Sequence, residues 1–565
     1  MAKVIVIGGG VAGLSAAHEL VDRGYAVEVF ERNPRYLGGK ARSVDAPGTN
    51  GIDPHLFLPG EHGFRFFPGY YQHVTDTMQR IPLGNGLSVY DNLVCTQDMM
   101  MAQANAKPVV LPVNFPASFR DVALIFEGFK EFSSDLTDAE IECYAGKVWQ
   151  LMTSCSKRYD EEYDSVSWWD FTESRTKSEA YQRLLSGGMT RSLVACRAQN
   201  ASTRTCGAHL VQMLYRMMNP ITRNTDRVLN APTNEAWLYP WYTYLAGRGV
   251  QFHRGVNITG IETGSDRISG VTYTRDGVLT RAGCPEDHFI LAVPLERAAN
   301  LVSEEMLVLA PALRNIIKLA PNVEWMNGIQ FYLNAEVNIN KGHTMYTGSN
   351  WALTSISQKQ FWPDYDLSRR GNGRVVSILS VDVSNWEAPG NFNGKIAREC
   401  TKDEVQREVW QQLKRELNYG DTVTLRDDMI EGYYLDEDIE PTHAEMTSTV
   451  KARLNPYKQQ KLGGLINLEP LLVNQCDTWA IRPNAYTAIP NLFLAADYVK
   501  THTDLATMEG ANEAARRAVN SILLADEADM DMCEIWEMDT PTLLKPLQAL
   551  DRRNFDNGLP WQHPL

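Results

Sequence analysis

The chain has no long apolar run. Its longest uninterrupted apolar stretches, residues 4–7, 289–293 and 492–496, are strand-sized, whereas a bilayer span takes about 18 residues or more. The N-terminus offers one lysine and an apolar stretch broken by Gly8, too short for a signal-peptide core. Paired cysteines are also lacking. The nine, at 95, 143, 155, 196, 206, 284, 400, 476 and 533, include no CxxC and are odd in number. They indicate neither a zinc site nor a disulfide framework, and reduced thiols in a cytoplasmic enzyme are expected. With 40 Gly and 27 Pro among 565 residues there is no excess of either, which excludes collagen-like and low-complexity chains. Basic charge is short: 54 Lys and Arg against 69 Asp and Glu give −15. That balance argues against a nucleic-acid partner and leaves at most peripheral contact with an anionic membrane. A hydrophobic content of 44% is ample for a large core. A prior of about 150 residues per domain suggests three or four units.

What is there begins at residue 3. Lys3-Val-Ile-Val-Ile7 is a β-branched run suited to a buried parallel strand. Gly8-Gly-Gly10-Val-Ala-Gly13 follows as GxGxxG, then a helical stretch over 14–23, a second strand over 25–30, and Glu31. Each glycine has a physical task. Gly8 permits a tight turn, Gly10 lets backbone approach a pyrophosphate, and Gly13 lets helix and strand pack closely. The helix start turns free N–H groups toward the phosphates. Glu31, 18 residues beyond Gly13, is placed to accept hydrogen bonds from a ribose diol, which disfavours a 2′-phosphate and so NADPH as the resident dinucleotide. FAD and NAD share this pattern. Glu31-Arg32-Asn-Pro-Arg-Tyr-Leu-Gly38-Gly39-Lys40-Ala-Arg42 continues into a second glycine pair with basic residues, as suits a longer, extended ligand such as FAD; Lys40 and Arg42 also read as a solvated loop pair.

The other end of the chain supplies a counterpart. Residues 490–497 form a short strand ending in Asp497, and Met508-Glu-Gly-Ala511 opens a helix. Beside the first unit, Asp497 would reach the pyrophosphate or ribityl region, and the helix start at Met508 and Ala511 would favour negative charge on a reduced flavin.

These motifs carry a resemblance. The GxGxxG unit through Lys40, the stretch Gly60-Glu61-His62-Gly-Phe-Arg65-Phe-Phe-Pro-Gly-Tyr-Tyr71, and Asn491-Leu-Phe-Leu-Ala-Ala-Asp497-Tyr-Val-Lys through Leu505-Ala-Thr-Met508-Glu-Gly-Ala511 resemble the amine-oxidase-like flavoproteins, in particular the phytoene and carotene desaturases. Ala496 stands where that family usually has glycine. Residues 60–69 together with Trp351-Ala-Leu-Thr-Ser-Ile-Ser-Gln358 are most similar to the phytoene-dehydrogenase-like enzymes of polycyclic tetramate macrolactam assembly, and also to squalene-related dehydroxylases. The resemblance implies an α/β fold: a Rossmann-type FAD-binding domain interleaved with a mixed α+β substrate domain. FAD-binding parts are expected at 1–75, 236–300 and 481–525, a helical substrate lobe at 76–235, a sheet lobe at 301–480, and an extension at 526–565. By the same resemblance Val256 or Ile258 lays a backbone edge against adenine.

In the middle of the chain, aromatics and methionines such as Trp325, Phe331, Trp351, Trp362, Trp479 and Met99-Met100-Met101 suit either a polyene tunnel or plain core. Phe119, Val122, Phe126 and Phe129 suggest an amphipathic helix that faces the core or touches a membrane.

Glu61, His62 and Arg65 closely follow the cofactor loop. His62 could move protons near neutral pH or stabilise a turn, and Arg65 could pair with Glu61 or hold a polar substrate group. Arg482 and Tyr486, with Trp479 packing, precede the last cofactor strand and are candidates for the flavin-facing wall. The superfamily's amine oxidases commonly carry a lysine where Trp325-Met-Asn-Gly-Ile-Gln-Phe331 has none. No metal ligand set is expected, and NAD(P)H, lacking a second fingerprint, would bind only transiently. The reading favoured is an FAD oxidoreductase acting on a hydrophobic polyene or isoprenoid-like small molecule, by desaturation or redox-coupled cyclisation. An amine or amino-acid oxidase releasing peroxide and a non-catalytic flavin-binding partner subunit are the alternatives.

Overall fold

The structure is a computed structural model that describes residues 3–105, 108–110, 126, 135–188, 190–191, 195–217, 226–275, 277–337, 339–442, 446, 448–458 and 463–563. Strand β1 (Lys3–Ile7), helix α1 (Val11–Asp22) and strand β2 (Ala26–Glu31) form a βαβ start. β1 lies at the centre of a five-stranded parallel sheet ordered Gln251–Arg254, β2, β1, His288–Leu291, Leu492–Leu494. Both of its faces are covered, so Val4 to Ile7 are all buried, as the unbroken β-branched run requires. Three distant stretches of chain build this one sheet. Helix Met508–Ala525 packs against α1, where Asn512 Nδ2 donates to Ser15 Oγ at 2.8 Å.

A second, seven-stranded sheet runs Val109–Val110, Asp98–Ala102, Gly342–Tyr346, Leu353–Ser357, Ser377–Val383, Asn327–Leu333, Ile430–Leu435. Its pairs are antiparallel except for Gly342–Tyr346 beside Asp98–Ala102. Alternate residues of a strand face opposite sides. Ile329, Phe331, Leu353, Leu379, Val381 and Val383 share a core with helix Lys402–Leu417, where Phe331 lies 5.0 Å from the Trp410 ring. His343, Met345, Thr354 and Asp382 point the other way, into a cavity. The expected helical lobe at 76–235 does hold long helices, Asp138–Thr153 and Thr203–Met217. It also lends Asp98–Ala102 to the sheet of the following lobe. That pairing spans more than 240 residues of sequence, and no local pattern announces such a partner.

The extension packs onto the body. Asp551 accepts from Arg158 Nε at 3.0 Å and Nη2 at 2.8 Å, and Trp561 Nε1 donates to Thr153 Oγ1 at 3.0 Å. The amphipathic segment expected around Phe119, Val122 and Phe129 lies outside the described residues; Phe126 is buried. Among the described residues no helix is long and apolar enough to cross a membrane, and all nine cysteines are free thiols.

Candidate active site

A cavity of about 870 Å3 connects the glycine turn after β1 with the open face of the seven-stranded sheet. Its volume is near the top of the range of about 300–1,000 Å3 typical of ligand pockets. One part is a cradle lined by Gly8, Gly10, Glu31, Arg32, Gly39, Lys40, Arg42, Val256, Ile258, Asp497, Met508 and Ala511. Gly8 has φ +110°, and a Cβ there would lie 2.5 Å from Ala292 O. A Cβ on Gly13, which is buried behind the turn, would lie 1.9 Å from Gly8 O. These two glycines serve the fold. Gly10 is different. Its φ is −73°, and a Cβ would meet nothing nearer than Gly39 Cα at 3.8 Å. Among the described residues no protein atom requires glycine at position 10, so the open space in front of it points to a ligand that approaches closely. The first-turn N–H groups of α1 have no intrahelical partner, and Val11 and Ala12 line the cavity beside them. The residues therefore fit FAD.

Glu31 accepts from Gly9 N at 2.8 Å and Asn33 N at 2.7 Å, which fixes its carboxylate at the end of β2. Burial raises its pKa against these bonds. Val256 N donates to Glu31 O at 2.9 Å and so ties this edge of the cavity to β2. Helix Met508–Ala525 is capped by Thr507 Oγ1, which accepts from Gly510 N at 3.0 Å. Glu509, beside Met508, accepts from Gln72 N at 2.7 Å, His73 N at 2.8 Å and Val74 N at 2.9 Å. It thereby caps the helix that follows the 60–71 stretch, which accounts for an acid at that point of the motif.

The basic loop departs from expectation. Lys40 Nζ donates to Pro470 O. Arg32 reaches Glu469 at 2.8 Å, and Arg42 pairs with Asp438 at 2.9 Å, Glu437 at 3.1 Å and Glu469 at 3.2 Å. Burial works to raise the Glu469 carboxyl, but Arg42, Arg32 and Arg453 hold it well below the usual range. Lys40 and Arg42 thus line the cradle with their heads engaged by protein, where the sequence suggested charge offered to phosphate.

His62 lines the cavity with Nδ1 2.7 Å from Asp436 Oδ2. Ligand atoms of His62, Asp436 and Asp438 lie within 4.8 Å of one another. The carboxylates are already met by Arg42, Arg453 and Asn327, so a cation there would compete with guanidinium groups. Arg65 also lines the cavity. Its Nε donates to Ala41 O at 3.1 Å and its Nη2 to Lys40 O, so it braces the cofactor loop.

Three of the expected catalytic residues are placed elsewhere. Glu61 lies behind the wall, accepting from Thr233 N at 3.1 Å and Thr233 Oγ1 at 3.0 Å, and burial raises its carboxyl to about 8. Arg482 is buried and donates to Asp497 O at 3.0 Å and Asn474 Oδ1 at 2.9 Å. It therefore shapes the end of the last cofactor strand from behind. Tyr486 is 61% exposed and does not line the cavity; its backbone pairs with Phe493 in an isolated antiparallel bridge. Trp479 stacks under Arg204, whose guanidinium carbon is 3.4 Å from the ring centroid. Of the aromatics and methionines singled out from the sequence, Met99 reaches the cavity, while Phe331, Trp351 and Trp362 are buried in core clusters.

Apart from Met99, the remaining walls were not foreseen. Phe64, Phe66, Met99, Trp168, Leu210 and Met345 make a largely apolar chamber with a polar patch at His343, Asp226 and Asp382. His343 Nδ1 lies 2.7 Å from Asp226 Oδ2. His209, also in the wall, is lowered to about 4 by burial; its Nδ1 is 3.1 Å from Tyr70 OH. The available signal was a lone acid in the strand Ser377-Ile-Leu-Ser-Val-Asp382-Val383, since an unpaired charge in a buried strand is rare without a purpose.

A parallel sheet with a glycine turn at one edge of a cavity that widens into an apolar chamber is the arrangement of a dinucleotide-binding oxidoreductase. The profile of the flavin containing amine oxidoreductases matches residues 11–523, and the chain belongs to that family. Among characterised relatives it is 22% identical over 309 residues to a zeta-carotene desaturase of Synechocystis sp., covering 54% of this chain and 59% of that one. It is 36% identical over 91 residues to the zeta-carotene desaturase of Zea mays, covering 16% of this chain and 14% of that one. These matches thus span less than two thirds of either relative. Among solved structures, cyclohexylamine oxidase from Brevibacterium oxydans IH-35A superposes with a TM-score of 0.58 at 14% identity, covering 94% of this chain and 100% of that one. Putrescine oxidase bound to putrescine gives 0.58 at 11% identity, covering 93% and 99%. At such identities the likeness is one of fold.

Proposed function

We propose that this chain is an FAD-dependent oxidoreductase acting on a hydrophobic polyene or isoprenoid-like substrate. The observation that carries the reading is the single cavity in which the cradle around Gly10 opens into a chamber walled by Phe64, Phe66, Met99, Trp168, Leu210 and Met345. Gly10, Glu31, Gly39, Val256, Asp497, Met508 and Ala511 would hold FAD, which when bound supplies a hydride acceptor. The chain's own part is to exclude water, to align the apolar chain, and to take up or supply a proton from the His62 and Asp382 side of the chamber. The carotenoid names of the relatives agree with an apolar substrate, and the lack of lysine over residues 325–331 weighs against an amine. The narrower form of the reading is redox-coupled carbocycle formation on a polyene, as in polycyclic tetramate macrolactam assembly; it is supported by the resemblance of residues 60–69 and 351–358 to those enzymes. The test is anaerobic mixing of FAD-loaded protein with a panel of polyenes, including phytoene and a polyene tetramate macrolactam. Bleaching of the flavin band with a product two hydrogens lighter than the substrate, open-chain or ring-closed, is expected. Bleaching by simple amines with peroxide release in air would overturn the reading, and an inert flavin across both panels would favour a binding subunit.

A further inference from the structure

The open face of the seven-stranded sheet carries polar atoms that an apolar substrate would leave unsatisfied. Met345 pairs with Thr354, Thr354 with Asp382, and Asp382 with Gly328, so these positions form one row across the sheet, on the side facing the cavity. His343 lies two residues before Met345 and shares its face. Among the described residues, Asp382 Oδ1, His343 Nε2 and His62 Nε2 are buried without a hydrogen-bond partner, and all three residues line the cavity. His343 is held in place: Asp226 fixes its Nδ1, and the Phe64 and Phe66 rings lie 5.1 Å from its own. Gly63 permits the close approach of the loop, since a Cβ there would lie 2.8 Å from Asp382 Oδ1. Three buried polar atoms left unmet would each carry a desolvation cost. A plain hydrocarbon in the chamber would leave that cost in place.

We propose that Asp382, with His343 and His62 beside it, forms a hydrogen-bonding subsite for a carbonyl or hydroxyl oxygen borne by an otherwise apolar substrate. The proposal rests on the functional reading above and narrows its substrate class to apolar chains that bear such an oxygen. Burial raises the Asp382 carboxyl to about 7, while Arg65, His62, the Phe64 backbone N–H and His343 act to lower it. Near neutral pH the group is therefore present in both forms, able to donate to a carbonyl or accept from a hydroxyl. A site built around such atoms rejects an analogue lacking the oxygen more strongly than an apolar wall rejects a change of size.

The test compares 2-nonanone with 2-methyl-1-nonene, in which a methylene group replaces the carbonyl oxygen at nearly constant shape. Binding to FAD-loaded protein is followed by tryptophan fluorescence, with Trp168 in the chamber wall as reporter. The ketone-to-alkene affinity ratio is expected to be roughly tenfold larger in the wild type than in Asp382→Leu, equivalent to about 1.4 kcal/mol. Asp382→Asn, which keeps a donor and the shape, should retain most of the preference. A second readout needs no variant: the infrared carbonyl stretch of bound 2-nonanone should fall below its frequency in hexane. Equal ratios in wild type and Asp382→Leu, or a hexane-like stretch, would overturn the subsite. So would nonylamine binding that exceeds the ketone's and is lost in both Asp382 variants, which would make Asp382 a counter-ion for ammonium. Wild-type protein that retains no FAD would instead sink the functional reading, so the two failures are distinguishable.

Discussion

Replacing Gly10 by alanine should separate the fold's needs from the ligand's. Gly10 has φ −73° and ψ −177°, a conformation any L-residue adopts, and a Cβ there meets no atom closer than 3.8 Å. Alanine at such a position restricts the unfolded chain and stabilises the native state by about 0.4–1 kcal/mol. The apo-protein should therefore melt at the wild-type temperature or slightly above. The same methyl group stands in the space offered to the pyrophosphate. Displacing one phosphate oxygen from a charge-assisted backbone N–H costs about 1.5–3 kcal/mol, which predicts FAD affinity lower by about 10- to 150-fold. The assay is titration of apo-protein with FAD by flavin fluorescence, paired with thermal melting of the apo-protein. Gly13→Ala is the control for the opposite behaviour. Its Cβ would lie 1.9 Å from Gly8 O, so helix and turn must part and apo stability must fall. Wild-type FAD affinity in Gly10→Ala would refute the reasoning, as would an apo-protein as unstable as Gly13→Ala.

Three further expectations concern the residues around the cavity. Glu61 is buried and raised to about 8 from 4.5, so the folded state binds a proton that the unfolded state has already lost. Its contribution to stability is full below about pH 4.5 and is lost as pH rises toward 8; Glu61→Gln should flatten the fall in melting temperature across that window, and an unchanged slope would count against it. Arg42→Met leaves Asp438 and Glu469 buried with less compensation, and chemical denaturation should show a loss of about 3–5 kcal/mol. Tyr486→Phe should change stability by less than about 0.5 kcal/mol and leave turnover untouched, because the side chain is 61% exposed and outside the cavity; a substantial loss of rate would restore its catalytic assignment.

Much of the cradle was legible because its parts are contiguous. Gly8, Gly10, Gly13 and Glu31 lie within one βαβ unit, where spacing along the chain is spacing in three dimensions. Asp497, Met508 and Ala511 were legible for the same reason at the other end. Reasoning from proximity in sequence failed at Glu61 and Tyr486. Strand Pro59–Glu61 ends there and the chain bends at His62, so His62 lines the cavity while Glu61 turns to Thr233. The partners of Lys40 and Arg42 were not legible, because Pro470, Glu437, Asp438 and Glu469 come from about 400 residues further on.

Short sequence patterns alone pointed to the glycine turn, to residues from both ends of the chain that line one cavity, and to the flavin containing amine oxidoreductases. Those properties reside in short-range patterns: a β-branched run, glycines at set intervals, an acid at a strand end. The tertiary structure alone decided which side chains meet across the chamber. His62, His343 and Asp382 come from a loop and two strands whose contact depends on sheet order and on which face each strand presents. Sheet pairing is a long-range choice among many similar apolar strands, and it is settled by the packing of the whole molecule.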